Sequence, residues 1–309
     1  MRAAVIHERG AVPVVRDFPE PQPVEGAVLI DVDTAGLGGW DVLGAYRLGV
    51  EYPCVIRGEG VGRLVGDGRR VYFGERSVSP FGAWAERTVV PAAEVWDVPD
   101  DIDDKTAITM GIAGTGALVP LEKAGIQPGD RVLILGATGT VGQIALQLAR
   151  IMGAGRVVGA ARSPEALARL VQRGWADAIV PLGGEDDVQA LKDASDGGFD
   201  VVFDLVCGLP MLAALKATRW GARIVTVGTR AGRVVNLDIA DLLFRTLSCV
   251  GTGQRPPAER HAIWLRLLEM VKRDGIVVDH LEFSFDQAAE AWAAQVASPH
   301  AKITARLNR

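Results

Sequence analysis

A glycine-rich turn between an apolar run and a helical repeat is the first stretch whose spacing could do chemistry. In "LILGATGTVGQIALQLAR" (133–150), small residues follow the apolar run with the spacing of a nucleotide-binding turn. Small residues permit a tight turn, a close approach of backbone to a pyrophosphate, and close packing of helix on strand. A purely structural turn is the alternative. A predicted strand before the turn, a predicted helix after it and a second predicted strand at the expected distance favour a dinucleotide site. The residues predicted to bind the phosphates are Gly136, Ala137, Thr138, Gly139, Thr140, Val141 and Gly142.

The end of the second apolar run selects between coenzymes. In "GAARSPE", Ala161 stands where an NAD-binding protein places the Asp or Glu that binds the ribose 2′-hydroxyl, and Arg162 and Ser163 follow. A carboxylate there would repel a 2′-phosphate, whereas a guanidinium binds one through two hydrogen bonds. We therefore predict NADPH as the cofactor, bound by these three residues. The alternative is that Arg162 is only a solvated residue at the end of a strand.

Several other chemistries and partners are excluded by composition and spacing. The three cysteines, Cys54, Cys207 and Cys249, are far apart, and the four histidines show no spacing typical of a metal site. Neither Ser195 nor Ser248 lies in a GxSxG motif, so a hydrolase triad is not supported. The net charge of −5 leaves no basic surplus for nucleic acid. With no signal-like N-terminus and no apolar run of about 20 residues, we expect a cytoplasmic protein without a membrane partner.

Two different kinds of chain surround these residues. The first third has short apolar runs separated by Gly and Pro, which is typical of short strands. From about Thr115, near-continuous apolar runs alternate with helical stretches, which predicts an α/β fold with a doubly wound parallel sheet. The last segment again reads strand, helix, strand and is predicted to return to the first domain. The predicted boundaries are 1–114 with 280–309 for a β-rich catalytic domain, and 115–279 for a dinucleotide-binding domain.

Together these segments resemble the medium-chain dehydrogenase/reductase superfamily, most closely its zinc-free branch of NADPH quinone oxidoreductases and enoyl reductases. The resemblance covers nearly the whole chain, and "QPGDRVLILGATGTVG" within 125–150 is its most specific part. Other matching pieces are "AGLGGWD" (35–41), "YPCVIRGEGVG" (52–62) and "AKITARL" near the C-terminus. The resemblance implies a GroES-like catalytic domain, a Rossmann nucleotide-binding domain, a small-molecule substrate and a homodimer.

The resemblance also implies that zinc is absent. Zinc-dependent relatives carry metal ligands at positions where this chain has Gly38, Gly58 and Ile112, none of which can ligate a metal. Glu59 remains, but one carboxylate cannot hold a catalytic zinc that needs three protein ligands. No metal site is therefore predicted, and without a Lewis acid the oxidation of an unactivated alcohol is disfavoured.

Three residues are predicted at the catalytic position by the same resemblance. Tyr46, in "GAYRLG", corresponds to a tyrosine that faces the nicotinamide, where it would donate a hydrogen bond, position the substrate or only form the wall. Asp41 occupies a position where relatives also have Asp, and it either braces the loop through backbone hydrogen bonds or takes part in acid–base work. Trp40 either stacks on substrate or packs.

Further cofactor contacts are predicted beyond the glycine-rich turn. Thr115 resembles a threonine that binds the carboxamide or ribose near the nicotinamide, and Lys302 resembles the lysine of the family's terminal G-K. Gly228 and Thr229 end a predicted strand, where ligands approach the carboxyl edge of a parallel sheet. Val206, which ends the run "FDVVFDLV", is included with them.

The predicted function is zinc-independent, NADPH-dependent hydride transfer to an activated C=C bond, as in an enone or enoyl thioester, or to a quinone. Such a reaction needs a hydrogen-bond donor for the charge that develops on the carbonyl oxygen and a proton source for the α-carbon. An NADPH-dependent C=N or carbonyl reductase would use the same groups, so the sequence does not separate these two. A non-catalytic NADPH-binding sensor is the alternative of another class.

Overall fold

The computed structural model describes residues 1–43 and 51–307, and its contacts divide the chain into two units. The first unit comprises Met1–Ala113, Pro256–Glu269 and Asp279–Arg309, and the second comprises Gly114–Arg255 and Met270–Val278.

Apart from the boundary residues Gly114 and Asp279, the predicted bounds differ from these units at one segment: Pro256–Glu269 was expected in the dinucleotide-binding domain. Within the first unit Trp264 is fully buried, stacks on Tyr72 and donates a hydrogen bond of 2.9 Å to the carbonyl oxygen of Ala107. These contacts explain why this part of the helix groups with the β-rich unit.

Strands and helices follow each other in the order that the alternation of apolar runs predicts. In chain order, the strands are β1 (Arg2–Ile6), β2 (Val14–Asp17), β3 (Ala27–Leu37), β4 (Cys54–Val55), β5 (Glu59–Leu64), β6 (Arg70–Phe73), β7 (Arg87–Pro91), β8 (Val95–Asp97), β9 (Arg131–Leu135), β10 (Arg156–Ala161), β11 (Ala178–Pro181), β12 (Phe199–Asp204), β13 (Thr218–Thr226), β14 (Thr246–Cys249), β15 (His280–Ser284) and β16 (Lys302–Arg306). The α-helices are α1 (Gly39–Leu43), α2 (Asp104–Met110), α3 (Ile112–Ala124), α4 (Thr140–Ile151), α5 (Pro164–Gln172), α6 (Asp187–Ser195), α7 (Gly208–Lys216), α8 (Pro257–Asp274) and α9 (Ala288–Ala297). Among the helices of the described ranges, none combines the length and the apolar character needed to cross a membrane.

The second unit is built on one parallel sheet of six strands in the order β11-β10-β9-β12-β13-β14. Central strands β9 and β12 are buried along almost their whole length, because helices cover both faces of a sheet of this kind. The order is that of a doubly wound dinucleotide-binding fold, in which the strand order reverses between β9 and β12. The prediction of a Rossmann-type parallel sheet is confirmed.

The first unit contains a seven-stranded mixed sheet and a three-stranded sheet. The long strand β3 pairs with β5, β7 and β16. Its first three residues are partly buried, buried and partly buried residues then alternate, and its last four residues are all buried. The C-terminal strand β16 lies next to β3, so the end of the chain returns to the β-rich unit as predicted. This register brings the C-terminal end of β3 next to the N-terminal ends of β5 and β16.

Candidate functional site

The turn after β9, residues 136–142, has a backbone that only glycine permits at two positions. Gly136 has a φ of +80°, a conformation that L side chains rarely adopt. A Cβ on Gly142 would lie 2.4 Å from the carbonyl oxygen of Gly136, so helix α4 starts against the turn with no room for a side chain. We call these seven residues the phosphate turn. Its tightness matches the first requirement of the predicted dinucleotide site.

The N-terminus of α4 offers backbone N–H groups in the arrangement that an anion needs. The N-cap is Gly139, which has no side chain to accept the first N–H groups of the helix. The Gln143 side chain donates a hydrogen bond of 2.9 Å to the Thr138 carbonyl oxygen and thereby fixes the turn. Uncapped N–H groups and the positive end of the helix dipole favour a phosphate here. The residues of the phosphate turn therefore fit the pyrophosphate of a nicotinamide dinucleotide.

Asp204, at the carboxyl end of β12, organises the neighbouring loops. One carboxylate oxygen accepts hydrogen bonds from the N–H groups of Val206 (2.9 Å) and Cys207 (2.8 Å), and the other accepts one from Thr226 Oγ1 (3.0 Å). Burial raises the pKa of Asp204, although these hydrogen bonds act in the opposite direction. Sequence reasoning did not single out this residue, and its only signal was an acid that ends an apolar strand.

The loop after β13 lies close to the loop after β12. A Cβ on Gly228 would lie 2.1 Å from the carbonyl oxygen of Leu205, so these two strand ends are in close contact. Val206 thus lies beside the phosphate turn, since a Cβ on Gly136 would be 3.1 Å from its Cγ1. Thr229 is exposed. The structure brings Val206 and Gly228 to the carboxyl edge of the sheet, where they were expected.

The predicted adenosine-binding residues follow β10. Ala161 is buried at the end of the strand, and Arg162 is exposed and makes no ion pair with another described residue. Ser163 caps α5, because its hydroxyl accepts a hydrogen bond of 3.2 Å from the Ala166 N–H and donates one of 3.1 Å to Glu165. No carboxylate occupies position 161, which is the feature that predicted NADPH.

Thr115 belongs to the second unit and lies buried in the first turn of α3. An added Cβ on its neighbour Gly116 would lie 3.9 Å from the side chain of Val141. Gly116 therefore lies near the phosphate turn within the second unit, and the cofactor role of its neighbour Thr115 stays a prediction.

In the first unit, Asp41 is buried and accepts two backbone hydrogen bonds. Its Oδ2 accepts from the Gly38 N–H at 2.8 Å, and its Oδ1 accepts from the Gly58 N–H at 3.2 Å. Burial raises the pKa of Asp41 to about 6, and the hydrogen bonds and the Lys302 charge only partly offset that effect. These contacts correspond to the bracing role considered for Asp41. Trp40 is 49% exposed, and Tyr46 lies outside the described residues.

Glu59 and Lys302 form an ion pair of 2.6 Å in which each side chain is only 3% exposed. The other carboxylate oxygen of Glu59 accepts hydrogen bonds from the Tyr72 hydroxyl (2.8 Å) and from the Ile112 N–H (3.1 Å). Burial and the charge of Glu59 hold the pKa of Tyr72 well above its ordinary value. Lys302 was placed among the cofactor-binding residues, but its ammonium is used inside the first unit. Its cofactor role stays a prediction that these contacts do not support.

Glu75, which follows β6, is a half-buried carboxyl that sequence reasoning missed. Burial raises its pKa to about 7, and the negative charge of Asp41 contributes in the same direction. Near neutral pH such a group is present in both protonation states, so it can accept or supply a proton. Nothing in the "FGERS" segment distinguished this acid from a solvated one.

The residues at the positions of the relatives' zinc ligands do not fit a catalytic zinc. Gly38, Gly58 and Ile112 offer no ligating side chain. Gly58 has a φ of +51°, and a Cβ there would lie 2.4 Å from the carbonyl oxygen of Gly36, so this backbone leaves no room for a histidine. Within the described residues, no group of three or more His, Cys, Asp and Glu side chains could hold a metal ion.

Comparisons with known proteins place the chain among oxidoreductases. Residues 140–271 match the family described as zinc-binding dehydrogenase. The acryloyl-coenzyme A reductase of Metallosphaera sedula is 30% identical over 287 residues, which cover 78% of this chain and 83% of the relative. A quinone oxidoreductase-like protein 2 homolog of Nematostella vectensis is 29% identical over 262 residues, covering 81% of this chain and 71% of the relative.

Solved structures share the fold over almost the whole chain. A mycobacterial protein solved in complex with NADPH superposes with a TM-score of 0.86 at 23% identity, covering 99% of this chain and 100% of that one. An alcohol dehydrogenase from Thermus sp. ATN1 gives a TM-score of 0.83 at 23% identity, covering 100% of both chains. The fold alone therefore does not distinguish reductases from alcohol dehydrogenases. With the sequence relatives added, the chain belongs to the medium-chain dehydrogenase/reductase superfamily and is an oxidoreductase of that superfamily.

Proposed function

We propose that this protein is a zinc-independent, NADPH-dependent reductase of an activated C=C bond or a quinone. The observation that carries the proposal is the backbone of residues 38, 58 and 112, where two glycines and an isoleucine replace ligating side chains and Gly58 has no space for one. A chain without a Lewis acid at this position is suited to acceptors that already carry an electron-withdrawing group. The names of two relatives, acryloyl-coenzyme A reductase and quinone oxidoreductase-like protein, describe acceptors of this kind.

A nicotinamide cofactor is expected on the second unit, and we propose that it is NADPH. The phosphate turn and the N-terminus of α4 would bind the pyrophosphate. Arg162 would bind the 2′-phosphate, because it is exposed, is engaged in no ion pair with other described residues, and follows a strand that ends in Ala161. When bound, the cofactor supplies a hydride.

The described residues of the first unit supply positioning and a proton. Asp41 accepts the N–H groups of Gly38 and Gly58, and Glu59 accepts that of Ile112, so both acids are available to position these segments. Glu75 can hold a proton near neutral pH, as a reduction that ends in protonation requires. Tyr46 stays the predicted donor for the substrate carbonyl oxygen.

The test is the rate of NADPH oxidation, followed by the loss of the absorbance of the reduced nicotinamide, with a quinone, an enone and an enoyl thioester as acceptors. We expect turnover with at least one acceptor, unchanged after dialysis against a chelator. Arg162→Ala should raise the KM for NADPH about tenfold or more and that for NADH little, since the lost contact is with the 2′-phosphate.

Turnover only with an imine or an unactivated carbonyl would replace the proposal with the C=N or carbonyl reductase. NADPH binding without turnover on any acceptor would support a sensor instead. Loss of activity on chelation, restored by zinc, would contradict the zinc-independent mechanism.

A further inference from the structure

Three segments of the first unit, distant in sequence, donate backbone N–H groups to two buried acids. Gly38 follows β3, Gly58 precedes β5, and Ile112 begins α3. Asp41 accepts from the first two at 2.8 and 3.2 Å, and Glu59 accepts from the third at 3.1 Å. We call Asp41 and Glu59 the acid pair.

The acid pair has the chemistry that these contacts require. A buried N–H without an acceptor is costly, so each of the three segments needs a partner in place. Asp41 uses both oxygens, one for each glycine, which an asparagine with its single acceptor oxygen cannot do. Glu59 has one oxygen on Lys302 and the other on the Tyr72 hydroxyl and the Ile112 N–H.

The chain at Gly111, just before α3, lies close against Glu59 and Tyr72. A Cβ on Gly111 would lie 1.9 Å from the Tyr72 hydroxyl oxygen and 2.6 Å from Glu59 Oε2. The start of α3 is thus packed directly on the carboxylate that accepts the Ile112 N–H. The carboxylate, the lysine, the tyrosine and the helix start form one buried arrangement.

We propose that Asp41 and Glu59 are positioning residues that fix the segments around residues 38, 58 and 112 through backbone hydrogen bonds. Zinc-dependent relatives would hold a metal at the same three positions through side chains, according to the sequence resemblance. In this chain, the acid pair organises these segments from behind the backbone. That the segments border the substrate of a reductase rests on the proposed function, whereas the hydrogen bonds themselves do not.

Amide hydrogen exchange at pH 8, measured by NMR on the full chain, tests this inference. In Asp41→Asn, we expect the Gly38 or Gly58 amide, or both, to exchange about tenfold faster or more, because at least one loses its acceptor. In Glu59→Gln, the Ile112 amide should show the same change. Each substitution should leave the amides held by the other acid within about threefold of wild type.

Asp104→Asn is the matched control, because Asp104 is a partly buried acid of the same unit that accepts from the side chains of Thr34 and Arg70. It should leave all three amides and the turnover unchanged. Unchanged Gly38 and Gly58 exchange in a folded Asp41→Asn protein would overturn the inference. So would wild-type amides that exchange within about tenfold of the unprotected rate, a measurement that needs no variant to fold.

Kinetics separate this inference from the proposed function. If the protein is a reductase, Asp41→Asn should lower kcat for the acceptor about tenfold or more while the Kd for NADPH stays within about twofold, because the phosphate turn and Arg162 belong to the second unit. A wild-type protein without turnover would refute the proposed function, and the exchange rates would still decide on the acid pair.

Discussion

At the scale of single residues, the Glu59–Lys302 ion pair is the group on which stability should depend most strongly. Removal of one partner leaves the other charged and buried, so Lys302→Met should lower the free energy of unfolding by about 3–5 kcal/mol. The double variant Glu59→Gln with Lys302→Met should lose less than the sum of the single variants, by about 1–3 kcal/mol. Urea unfolding measures both.

The matched control for Lys302 is Lys105→Met, which breaks the half-exposed Lys105–Glu282 pair of the same unit. That change should cost less than about 1 kcal/mol. Equal losses for Lys302→Met and Lys105→Met would show that the buried pair contributes nothing special.

Glu75 should make stability depend on pH. Below the ordinary pKa of glutamate, its carboxyl is protonated in both the folded and the unfolded chain. As the pH rises from 4.5 towards 7, the unfolded chain ionises while burial and the charges of Asp41 and Glu59 keep the folded carboxyl protonated, although Arg57 and Arg76 oppose this. The stability contribution of Glu75 is therefore lost as the pH rises through this window.

Glu75→Gln removes that dependence. The free energy of unfolding of wild type relative to the variant should fall by about 2–3 kcal/mol between pH 4.5 and pH 8, as measured in urea at a series of pH values. Glu8→Gln, which removes an exposed acid, is the control and should track wild type. A difference between wild type and Glu75→Gln that is flat with pH contradicts the buried, protonated carboxyl.

At the scale of elements, the close approach of Gly142 to the Gly136 carbonyl oxygen joins β9, the phosphate turn and α4. Gly142→Ala places a methyl group 2.4 Å from the Gly136 carbonyl oxygen, so the turn must shift. We expect a loss of about 1–3 kcal/mol in the free energy of unfolding and a rise of about tenfold or more in the Kd for NADPH. Isothermal titration and urea unfolding measure these quantities.

Gly139→Ala is the matched control for the effect of packing at the same turn. Its Cβ would meet nothing closer than the Gly136 carbonyl oxygen at 3.6 Å, an ordinary contact. Its free energy of unfolding should stay within about 1 kcal/mol of wild type. A Gly142→Ala protein as stable as Gly139→Ala would show that the turn adapts without cost.

The sequence predicted those elements whose signals are local. The glycine spacing placed the turn between β9 and α4, and the continuous apolar runs predicted the parallel sheet. Contacts between distant residues carried no such signal: Lys302 and Glu59 are 243 residues apart, and each alone resembles an ordinary charged residue. Trp264 likewise lies in a helix that was predicted, yet its contact with Ala107 decides to which unit it belongs. The protonation of Glu75 depends on burial, which no spacing reveals.

At the scale of the whole molecule, the second unit has an apolar face that we propose is the interface of a homodimer. Trp220 and Phe244 are 75% and 70% exposed, their ring centroids lie 5.3 Å apart, and exposed Leu243 precedes Phe244 in the chain. β14, the edge strand of the described six-stranded sheet, begins at Thr246, two residues after Phe244. Exposed apolar area of this kind is typical of protein–protein contact.

Trp220→Glu with Phe244→Glu should convert the protein from a dimer to a monomer in light scattering after size exclusion, because the charges would be buried against each other in a symmetric interface. Trp40→Glu, which replaces an exposed tryptophan of the first unit, is the control and should leave the protein a dimer. If the wild-type protein is a monomer at micromolar concentration, which is on the order of the Kd of a weak interface, the dimer is refuted.

The left-handed backbone at Gly58 limits which side chains could be introduced at that position. A catalytic zinc here would need three new ligands, and the one at position 58 would have a left-handed φ and a Cβ only 2.4 Å from the Gly36 carbonyl oxygen. A side chain at position 58 would therefore weaken the fold, whereas a Cβ at position 38 would make only an ordinary contact. Installing such a site would thus require the backbone around residue 58 to be rebuilt together with the ligands, which no single substitution does.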